Sequence, residues 1–367
     1  GKTDGTTLPD GSPRTIVAAG PEQKNTFCLL RGADAFVSQH IGDMENAETY
    51  DAWLDTLARF EGLFEAEPAA VACDMHPEYL SSKWAAERHD EGLPLCEVQH
   101  HHAHIAAVMG ENNLDEAVIG VAFDGTGYGV DGAIWGGEVM LCNRTDFERF
   151  ANFSYVPMPG GAAAIKNPLR MAYGVLWQYD LLEHPAAKRA LASLGDAADT
   201  CERMVERGLN CPMTSSAGRL LDAASALLGI CTQPTYEGEA AIMLEAAIAG
   251  VSTDASYEIG IVKNTALETS TAHDTSVVLL DAESMFEAML DDMEAGMETS
   301  FMAAKVHNAF ATAITQACLV ANAAYGISTV ALGGGVFMNR YLTERTVALL
   351  QTAGFTVALS QELPPNA

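Results

Sequence analysis

The sequence predicts an α/β fold of two similar lobes, with a helical insertion in the second lobe. Short apolar runs of strand length alternate with stretches of helical spacing. The order of these elements begins again near residue 117, and a stretch from residue 157 to about 300 has helical character broken by Pro and Gly. With 367 residues, the chain is long enough for two lobes with a substantial core.

The first predicted lobe spans 21–116 and follows a polar linker at 1–20. Its predicted strands lie at 26–30, 35–39, 69–74 and 94–99, and its helices at 47–64, 78–89 and 102–112. The spacing at 47–64 places large apolar residues such as Trp53 and Leu57 on one side of a helix. AAVACD at 69–74 is a short apolar run that suits a buried strand.

The second predicted lobe spans 117–367. Its strands are predicted at 117–124, 132–142 and 147–156, before the insertion at about 157–300. A helix at 301–326, a strand at 328–333, a triple glycine, a helix at 339–354 and a strand at 355–359 follow. Two such lobes with a nucleotide in the cleft between them are the pattern of actin-like ATPases, whose lobes are RNase H-like, and of sugar kinases. This is an analogy of fold pattern.

Composition excludes several classes of function. The net charge of −29 argues against nucleic acid as a partner, because phosphate binding needs clustered Lys and Arg. No run of 18 apolar residues predicts a membrane span, and the opening residues lack the pattern of a signal peptide. The eight cysteines form no CxxC pair, which favours reduced thiols in a cytoplasmic protein. The polar opening and the final LPPNA favour a piece of a longer protein.

A histidine cluster, His100-His101-His102-Ala103-His104, stands at a predicted strand-to-helix junction. Positions i and i+4 share a helix face, so His100 and His104 can direct two imidazoles, which are common ligands of divalent metals, to one point. His101 and His104 form a second pair at i+3. Asp124, at the carboxyl end of the next strand, is the expected oxygen ligand, and such a set leaves positions open for substrate. The alternative is a histidine-rich helix cap with one buried ring.

Two glycine loops are expected to hold a phosphate-bearing ligand. FDGTGYG at 123–129 follows a strand, and its small residues let backbone N–H groups approach an anion. The alternative there is a hairpin turn, which Asp-Gly favours. LGGGVFMNR at 332–340 joins a strand to a helix start, with close helix packing as the alternative. The residues concerned are Gly125, Thr126, Gly127, Gly333, Gly334, Gly335 and Asn339.

Three further segments carry candidate polar residues. SSAGRLLDAASALLG at 215–229 predicts an amphipathic helix on which Gly218 and Asp222 would face a ribose, and YEGEAA at 236–241 offers Glu237 in the same way. The alternative for both segments is a helix cap with surface carboxylates. PMPGGAAAIKNPLRMA at 157–172 joins a glycine loop to Lys166 and Arg170, which indicates an anion site or a solvated helix start.

Together these segments resemble the C-terminal region of the HypF family, the carbamoyltransferases of NiFe hydrogenase maturation. The matching stretches begin at residue 23 and include VQHHHAHIAA, GVAFDGTGYGVDGAIWGGE, TSSAGRLLDAASALLG and LGGGVFMNR. The resemblance implies an enzyme that uses ATP with Mg²⁺, and carbamoyl phosphate, by way of carbamoyladenylate. It implies transfer of the carbamoyl group to the C-terminal cysteine of a partner, HypE. It also implies a divalent metal, Fe or Zn.

The resemblance assigns metal ligation to His100, His104 and Asp124, nucleotide contacts to the glycine loops, Gly218, Asp222, Glu237 and Asn339, and a catalytic anion site to Lys166 and Arg170. Two departures stand out. The family reads Gly-Gly-Asp where this chain has Gly160-Gly161-Ala162, and a family carboxylate follows Pro-Pro-Asn where this chain has Ala367. A small-molecule O-carbamoyltransferase and an actin-like nucleotide-binding scaffold are the alternative functions.

Overall fold

A computed structural model of the protein describes residues 14–264 and 276–366. The chain divides into two compact units, Gly1–His100 and His101–Ala367. The first unit contains the strands β1 (Thr15–Ala18), β2 (Cys28–Arg31), β3 (Asp34–Val37), β4 (Ala70–Asp74) and β5 (Leu95–Val98), and the helices α1 (Ala47–Leu63) and α2 (Leu80–Asp90). Helix α3 (His100–Glu111) begins at the last residue of this unit.

The five strands of the first unit form one sheet in the order β3-β2-β1-β4-β5. β1 pairs antiparallel with β2 and parallel with β4, so it lies at the centre of the sheet. The predicted linker at 1–20 therefore needs correction at Thr15–Ala18. This run, TIVA, alternates buried and half-buried residues, as expected of a strand with one face in the core.

An aromatic cluster forms the core of the first unit. The rings of Phe27 and Trp53 meet edge to face at 6.0 Å between centroids, and those of Trp53 and Trp84 at 4.9 Å. Trp53 and Leu57, predicted from helical spacing to share one side of α1, are both buried. The cluster holds the helices against the sheet and thereby fixes the end of β4, which supplies a polar residue to the candidate site.

The second unit contains most of the chain. Its strands are β6 (Val118–Phe123), β7 (Gly137–Cys142), β8 (Phe147–Phe153), β9 (Val156–Pro157), β10 (Met213–Thr214), β11 (Gly260–Lys263), β12 (Val278–Asp281), β13 (Thr329–Gly333) and β14 (Thr356–Ala358). Its helices after α3 are α4 (Ala162–Lys166), α5 (Pro168–Gln178), α6 (Pro185–Leu191), α7 (Ala197–Arg207), α8 (Ala217–Leu227), α9 (Glu239–Ala246), α10 (Glu283–Glu294), α11 (Thr299–Tyr325) and α12 (Arg340–Thr352). Short 3₁₀ segments lie at Ala192–Leu194 and Gly335–Met338.

The large sheet of the second unit has the order β11-β12-β8-β7-β6-β13-β14. β6, β7 and β8 form an antiparallel meander, and β13 and β14 add to β6 in parallel. Five strands of this sheet therefore repeat the order and the directions seen in the first unit, whereas the sequence predicted only the repeated succession of elements along the chain. Helix α3 packs its Ile105, Val108 and Met109 against residues of this second sheet, although we predicted it as the end of the first lobe.

The insertion predicted as helical at about 157–300 is only partly so. It contains α4 to α10, but β11 and β12 within it extend the edge of the large sheet, and β10 pairs with β9. These strands have only two to four residues each, too few for a period to be read from sequence. Residues 265–275 of the insertion lie outside the described residues. Within the described ranges, no helix has the length and apolar character needed to cross a membrane.

Candidate metal and nucleotide site

The first turn of helix α3 carries the predicted metal ligands. His100 and His104 lie one turn apart on this helix, and Asp124 follows β6 directly. The ligand atoms of these three residues lie within 4.8 Å of one another. His104 Nε2 is 3.0 Å from Asp124 Oδ2, and the His104 side chain is 7% exposed. Two imidazoles and a carboxylate at this distance form a donor set that suits a divalent transition metal.

Asp74, the last residue of β4, orients one of these histidines. Its Oδ2 lies 2.7 Å from His100 Nδ1, and its side chain is 6% exposed. An ionised carboxylate only accepts hydrogen bonds, so His100 donates through Nδ1 and keeps Nε2 as the ligand nitrogen. Asp74 Oδ1 also accepts from the backbone N–H of His76 at 2.8 Å. Asp74 was not among the predicted site residues, although it ends a predicted buried strand, the same signal that singled out Asp124.

The other two histidines of the cluster pack into the protein interior. His102 Nε2 lies 2.9 Å from the backbone oxygen of Asn143, and its ring packs 5.3 Å from Phe147. His101 is fully buried, with its ring 6.3 Å from that of Trp135. Neither residue belongs to the group of ligand atoms formed by His100, His104 and Asp124. The structure therefore favours His100 with His104 as the ligand pair over His101 with His104.

The first glycine loop connects β6 to β7 as a hairpin, with Tyr128 bridging to Ile134. The Gly127 carbonyl accepts from the backbone N–H of Trp135 at 2.9 Å, and Thr126 beside it is half-buried. The Asp124 carbonyl lies 2.6 Å from Ser216 Oγ and 3.1 Å from the backbone nitrogen of Gly218. The start of α8 therefore anchors the loop through hydrogen bonds to the Asp124 carbonyl. Gly125, the next residue of the loop, has no side chain.

The second glycine loop follows β13 and reaches the same ligands. A Cβ at Gly333 would lie 3.2 Å from His104 Cβ, and one at Gly335 would lie 3.0 Å from Asp124 Oδ1. Gly334 has a φ of +96°, and a Cβ there would lie 2.3 Å from the Phe123 carbonyl oxygen. Its N–H donates to the Pro365 carbonyl at 2.8 Å. Only glycines fit this close approach of the loop to the ligands.

Asn339 caps helix α12 rather than standing free in the loop. Its Oδ1 accepts from the backbone N–H of Leu342 at 2.9 Å, and its Nδ2 lies 2.8 Å from His307 Nε2. His307 Nδ1 lies 2.8 Å from the Ala303 carbonyl, so Nδ1 donates and Nε2 accepts from Asn339. Burial lowers the pKa of His307 to about 4, which keeps this imidazole neutral. The predicted nucleotide contact of Asn339 remains untested by these bonds.

Helix α8 brings Gly218, Arg219 and Asp222 to the first glycine loop. A Cβ at Gly218 would lie 2.9 Å from Gly125 Cα. A Cβ at Gly125 would lie 3.0 Å from Arg219 Nη2 and 3.6 Å from Glu237 Oε1. Every residue of α8 is buried, so the alternative of a surface Asp222 is wrong. The loop thus lies among a guanidinium and carboxylates.

A buried ion pair supports the hairpin from the side of the sheet. Glu138, fully buried in β7, accepts from Arg149 Nε at 2.7 Å and from Ser215 Oγ at 2.6 Å. The same carboxylate accepts from the backbone N–H groups of Gly136 and Gly137, each at 3.2 Å. This network joins the end of the loop to the start of α8, and its members are far apart in the sequence.

The predicted cations Lys166 and Arg170 lie on two successive helices. Lys166 ends α4 and is exposed. Arg170, on α5, has its Nη1 4.0 Å from the Met204 sulfur, and a Cβ at Gly160 would lie 2.8 Å from the same nitrogen. These contacts place Arg170 under the Gly160-Gly161 turn and do not join it to the three metal-ligand candidates.

Two family descriptions match the two parts of this chain. Residues 11–111 match the family described as HypF Kae1-like domain, and residues 120–367 match the family described as Carbamoyltransferase, Kae1-like Domain, second subdomain. Carbamoyltransferase HypF of Synechocystis sp. is 33% identical over 375 residues, covering 98% of this chain and 46% of the relative. A carbamoyltransferase HypF homolog of Cupriavidus necator is 38% identical over 364 residues, covering 96% of this chain and 89% of the relative.

A crystal structure of full-length HypF in the phosphate- and nucleotide-bound form matches this structure with a TM-score of 0.89 at 36% identity. The match covers 98% of this chain and 54% of that one, so this chain spans about half the length of that protein. Both family matches, the relatives and the mixed sheets of this α/β structure lead to one assignment. The chain belongs to the HypF family and carries its Kae1-like domain.

Proposed function

We propose that this chain transfers the carbamoyl group of carbamoyladenylate to the C-terminal cysteine of HypE, for the maturation of NiFe hydrogenases. The observation that carries the proposal is the contact of the metal-ligand candidates with both glycine loops. Asp124 begins the first loop, and the second approaches its carboxylate at Gly335. A nucleotide held by the loops would therefore have its reactive end beside the ligands. A relative crystallised with phosphate and nucleotide supports the same ligand class.

His100, His104 and Asp124 would hold the divalent metal, Fe or Zn. When bound there, such an ion supplies Lewis-acid polarisation of a carbonyl or phosphoryl oxygen. The backbone N–H groups of the two glycine loops would bind the phosphate of the adenylate. Asp222 and Glu237 would accept hydrogen bonds from its ribose hydroxyls.

In the proposed reaction, the HypE thiolate forms a bond from sulfur to the carbamoyl carbon. The thiol has given its proton to solvent before this attack, the bond from that carbon to the phosphate oxygen breaks, and AMP leaves with the electron pair of that bond. Lys166 and Arg170 are proposed to stabilise the departing anion, and Mg²⁺ accompanies the ATP from which, with carbamoyl phosphate, the adenylate is made. Because the acceptor supplies the nucleophile, no residue of this chain needs to act covalently.

Carbamoyl transfer in a single turnover tests the proposal. The chain is mixed with prepared carbamoyladenylate and a peptide of the HypE C-terminus, and mass spectrometry follows the peptide. Wild type should carbamoylate the peptide, while the double variant His100→Ala with His104→Ala should lose both bound metal and transfer. Retention of metal and of transfer by the double variant would falsify the metal assignment.

The same assay separates the alternatives. Carbamoylation of a sugar hydroxyl but not of the peptide would indicate a small-molecule O-carbamoyltransferase. Normal ATP binding without metal and without any transfer would indicate a nucleotide-binding scaffold. We also propose a cytoplasmic location without membrane or nucleic-acid partners. Eight cysteines without a disulfide in the structure, and the net charge of −29, support this part of the proposal.

A further inference from the structure

Arg219 is a buried cation beneath the first glycine loop. Its side chain is 3% exposed, and its Nη2 lies where a side chain at Gly125 would begin. Its Nε and Nη1 are buried, and neither has a hydrogen-bond partner among the described residues 14–264 and 276–366. A buried donor without an acceptor is costly, which indicates that a ligand or its solvent supplies acceptors at this point.

One carboxylate pairs with this guanidinium, and a second approaches the same glycine of the loop. Asp222 Oδ2 lies 3.1 Å from Arg219 Nη2, and the Asp222 side chain is 4% exposed. Glu237 Oε1 approaches the same point of Gly125. Burial raises the pKa of Asp222, the charge of Arg219 opposes this rise, and the charge of Glu237 adds to it. Loss of Arg219 would therefore remove the charge that lowers the pKa of Asp222.

The chemistry of this pair selects a ligand with hydroxyl donors. Ionised carboxylates only accept hydrogen bonds, so a group that binds between Asp222 and Glu237 must donate. A vicinal diol donates through two neighbouring hydroxyls, and each hydroxyl oxygen can also accept from a guanidinium N–H. A nucleotide whose phosphate lies on the glycine loop brings such a diol with its ribose.

We propose that Arg219 is a positioning residue that holds Asp222, beside Glu237, as an acceptor for a ribose diol, and thereby makes the site prefer ribonucleotides to deoxyribonucleotides. The inference rests on the proposed function, because it takes a nucleotide as the ligand. It adds a residue that pairs with Asp222, and it assigns to that residue the sugar specificity of the site.

Calorimetric titration of the chain with ATP and with 2′-deoxy-ATP tests this role. Wild type should bind ATP about tenfold to a hundredfold more tightly, the range expected for a hydrogen bond to a charged group. In Arg219→Met this ratio should fall to about one, because Asp222 loses the guanidinium that positions its carboxylate. Arg345→Met is the matched control, since Arg345 Nη1 also pairs with an aspartate, Asp254, at 2.8 Å, and its Nε also lacks a partner in the described chain. This control should keep the wild-type ratio.

A loss of stability alone would weaken both nucleotides equally and leave the ratio unchanged, which would overturn the proposal. If Arg219→Met does not fold, Arg219→Lys and Asp222→Asn decide the question. The lysine variant should keep part of the preference through its charge, and the asparagine variant should lose it, while a wild-type ratio in Asp222→Asn overturns the proposal. Wild type that binds ATP but fails to transfer a carbamoyl group would sink the proposed function and leave this inference standing. Wild type that binds neither nucleotide overturns both.

Discussion

The hydrogen bond from His100 to Asp74 leads to a quantitative prediction for Asp74→Asn. Asp74 accepts two hydrogen bonds, from His100 Nδ1 at 2.7 Å and from the His76 N–H at 2.8 Å, with one carboxylate oxygen for each. Asparagine is nearly the same size but has a single acceptor oxygen, so one of the two donors must lose its partner.

The loss falls on a hydrogen bond to a charged group, worth about 1.5–3 kcal/mol. If His100 loses it, either ring nitrogen can carry the proton, and the tautomer with a free Nε2 is no longer favoured. We therefore expect metal affinity to fall by about tenfold to a hundredfold, which is the usual effect of losing such a supporting partner.

Competition between the protein and a chelator for Zn²⁺ measures this affinity. Asp43→Asn is the matched control, because Asp43 lies in the same unit and its Oδ1 accepts the Lys24 N–H at 2.8 Å without contacting the histidines. The reasoning is refuted if Asp74→Asn binds Zn²⁺ like wild type, or if Asp43→Asn shows the same loss. Thermal unfolding of both variants shows whether a general loss of structure, rather than loss of the hydrogen bond, lowers the Zn²⁺ affinity.

Two further predictions concern stability. In Gly334→Ala, at φ +96°, the new Cβ would lie 2.3 Å from the Phe123 carbonyl oxygen, so the variant should lose more stability than the roughly 1–3 kcal/mol of backbone strain alone. Gly132→Ala, at φ +78° in open space, is the control and should show that strain only. Equal shifts of the two variants in urea unfolding would contradict this prediction. Burial lowers the pKa of His307 from 6.5 to about 4, so its contribution to stability is complete above pH 6.5 and is lost as pH falls toward 4, by up to about 3 kcal/mol. His307→Gln should therefore show a smaller fall in urea midpoint than wild type between pH 7 and pH 5, and an unchanged fall would exclude His307 as its source.

The metal-ligand candidates were predictable because their signals are local. Helical spacing fixes the relation of His100 to His104, and the end of a buried strand identifies Asp124. The same local signals predicted the repeated succession of elements along the chain. They failed for β1, a four-residue strand in a polar segment, and for β11 and β12, whose places at the sheet edge depend on pairing with distant residues.

The supporting residues depend on contacts that no local pattern records. Arg219 is one polar residue in a helix that looked amphipathic, and its importance comes from the approach of Gly125, 94 positions earlier (219 − 125). Glu138 reaches Ser215 across 77 positions. Such pairs become visible only when the burial of both partners is known, because a buried charge needs a partner whereas an exposed one does not.

The far end of helix α3 has a consequence for the order of folding. Glu111, its last residue, accepts from the backbone N–H groups of Gln361 and Leu363, the former 250 positions away. After these residues, Pro365 accepts a hydrogen bond from the Gly334 N–H. Asn366 Cβ then lies 3.7 Å from the Cβ position of Gly335, which is beside the Asp124 carboxylate. Closing so long a loop is slow. We therefore expect the surroundings of the ligands to be completed among the last events of folding, so that a chain still emerging from the ribosome would not yet capture metal in its mature form.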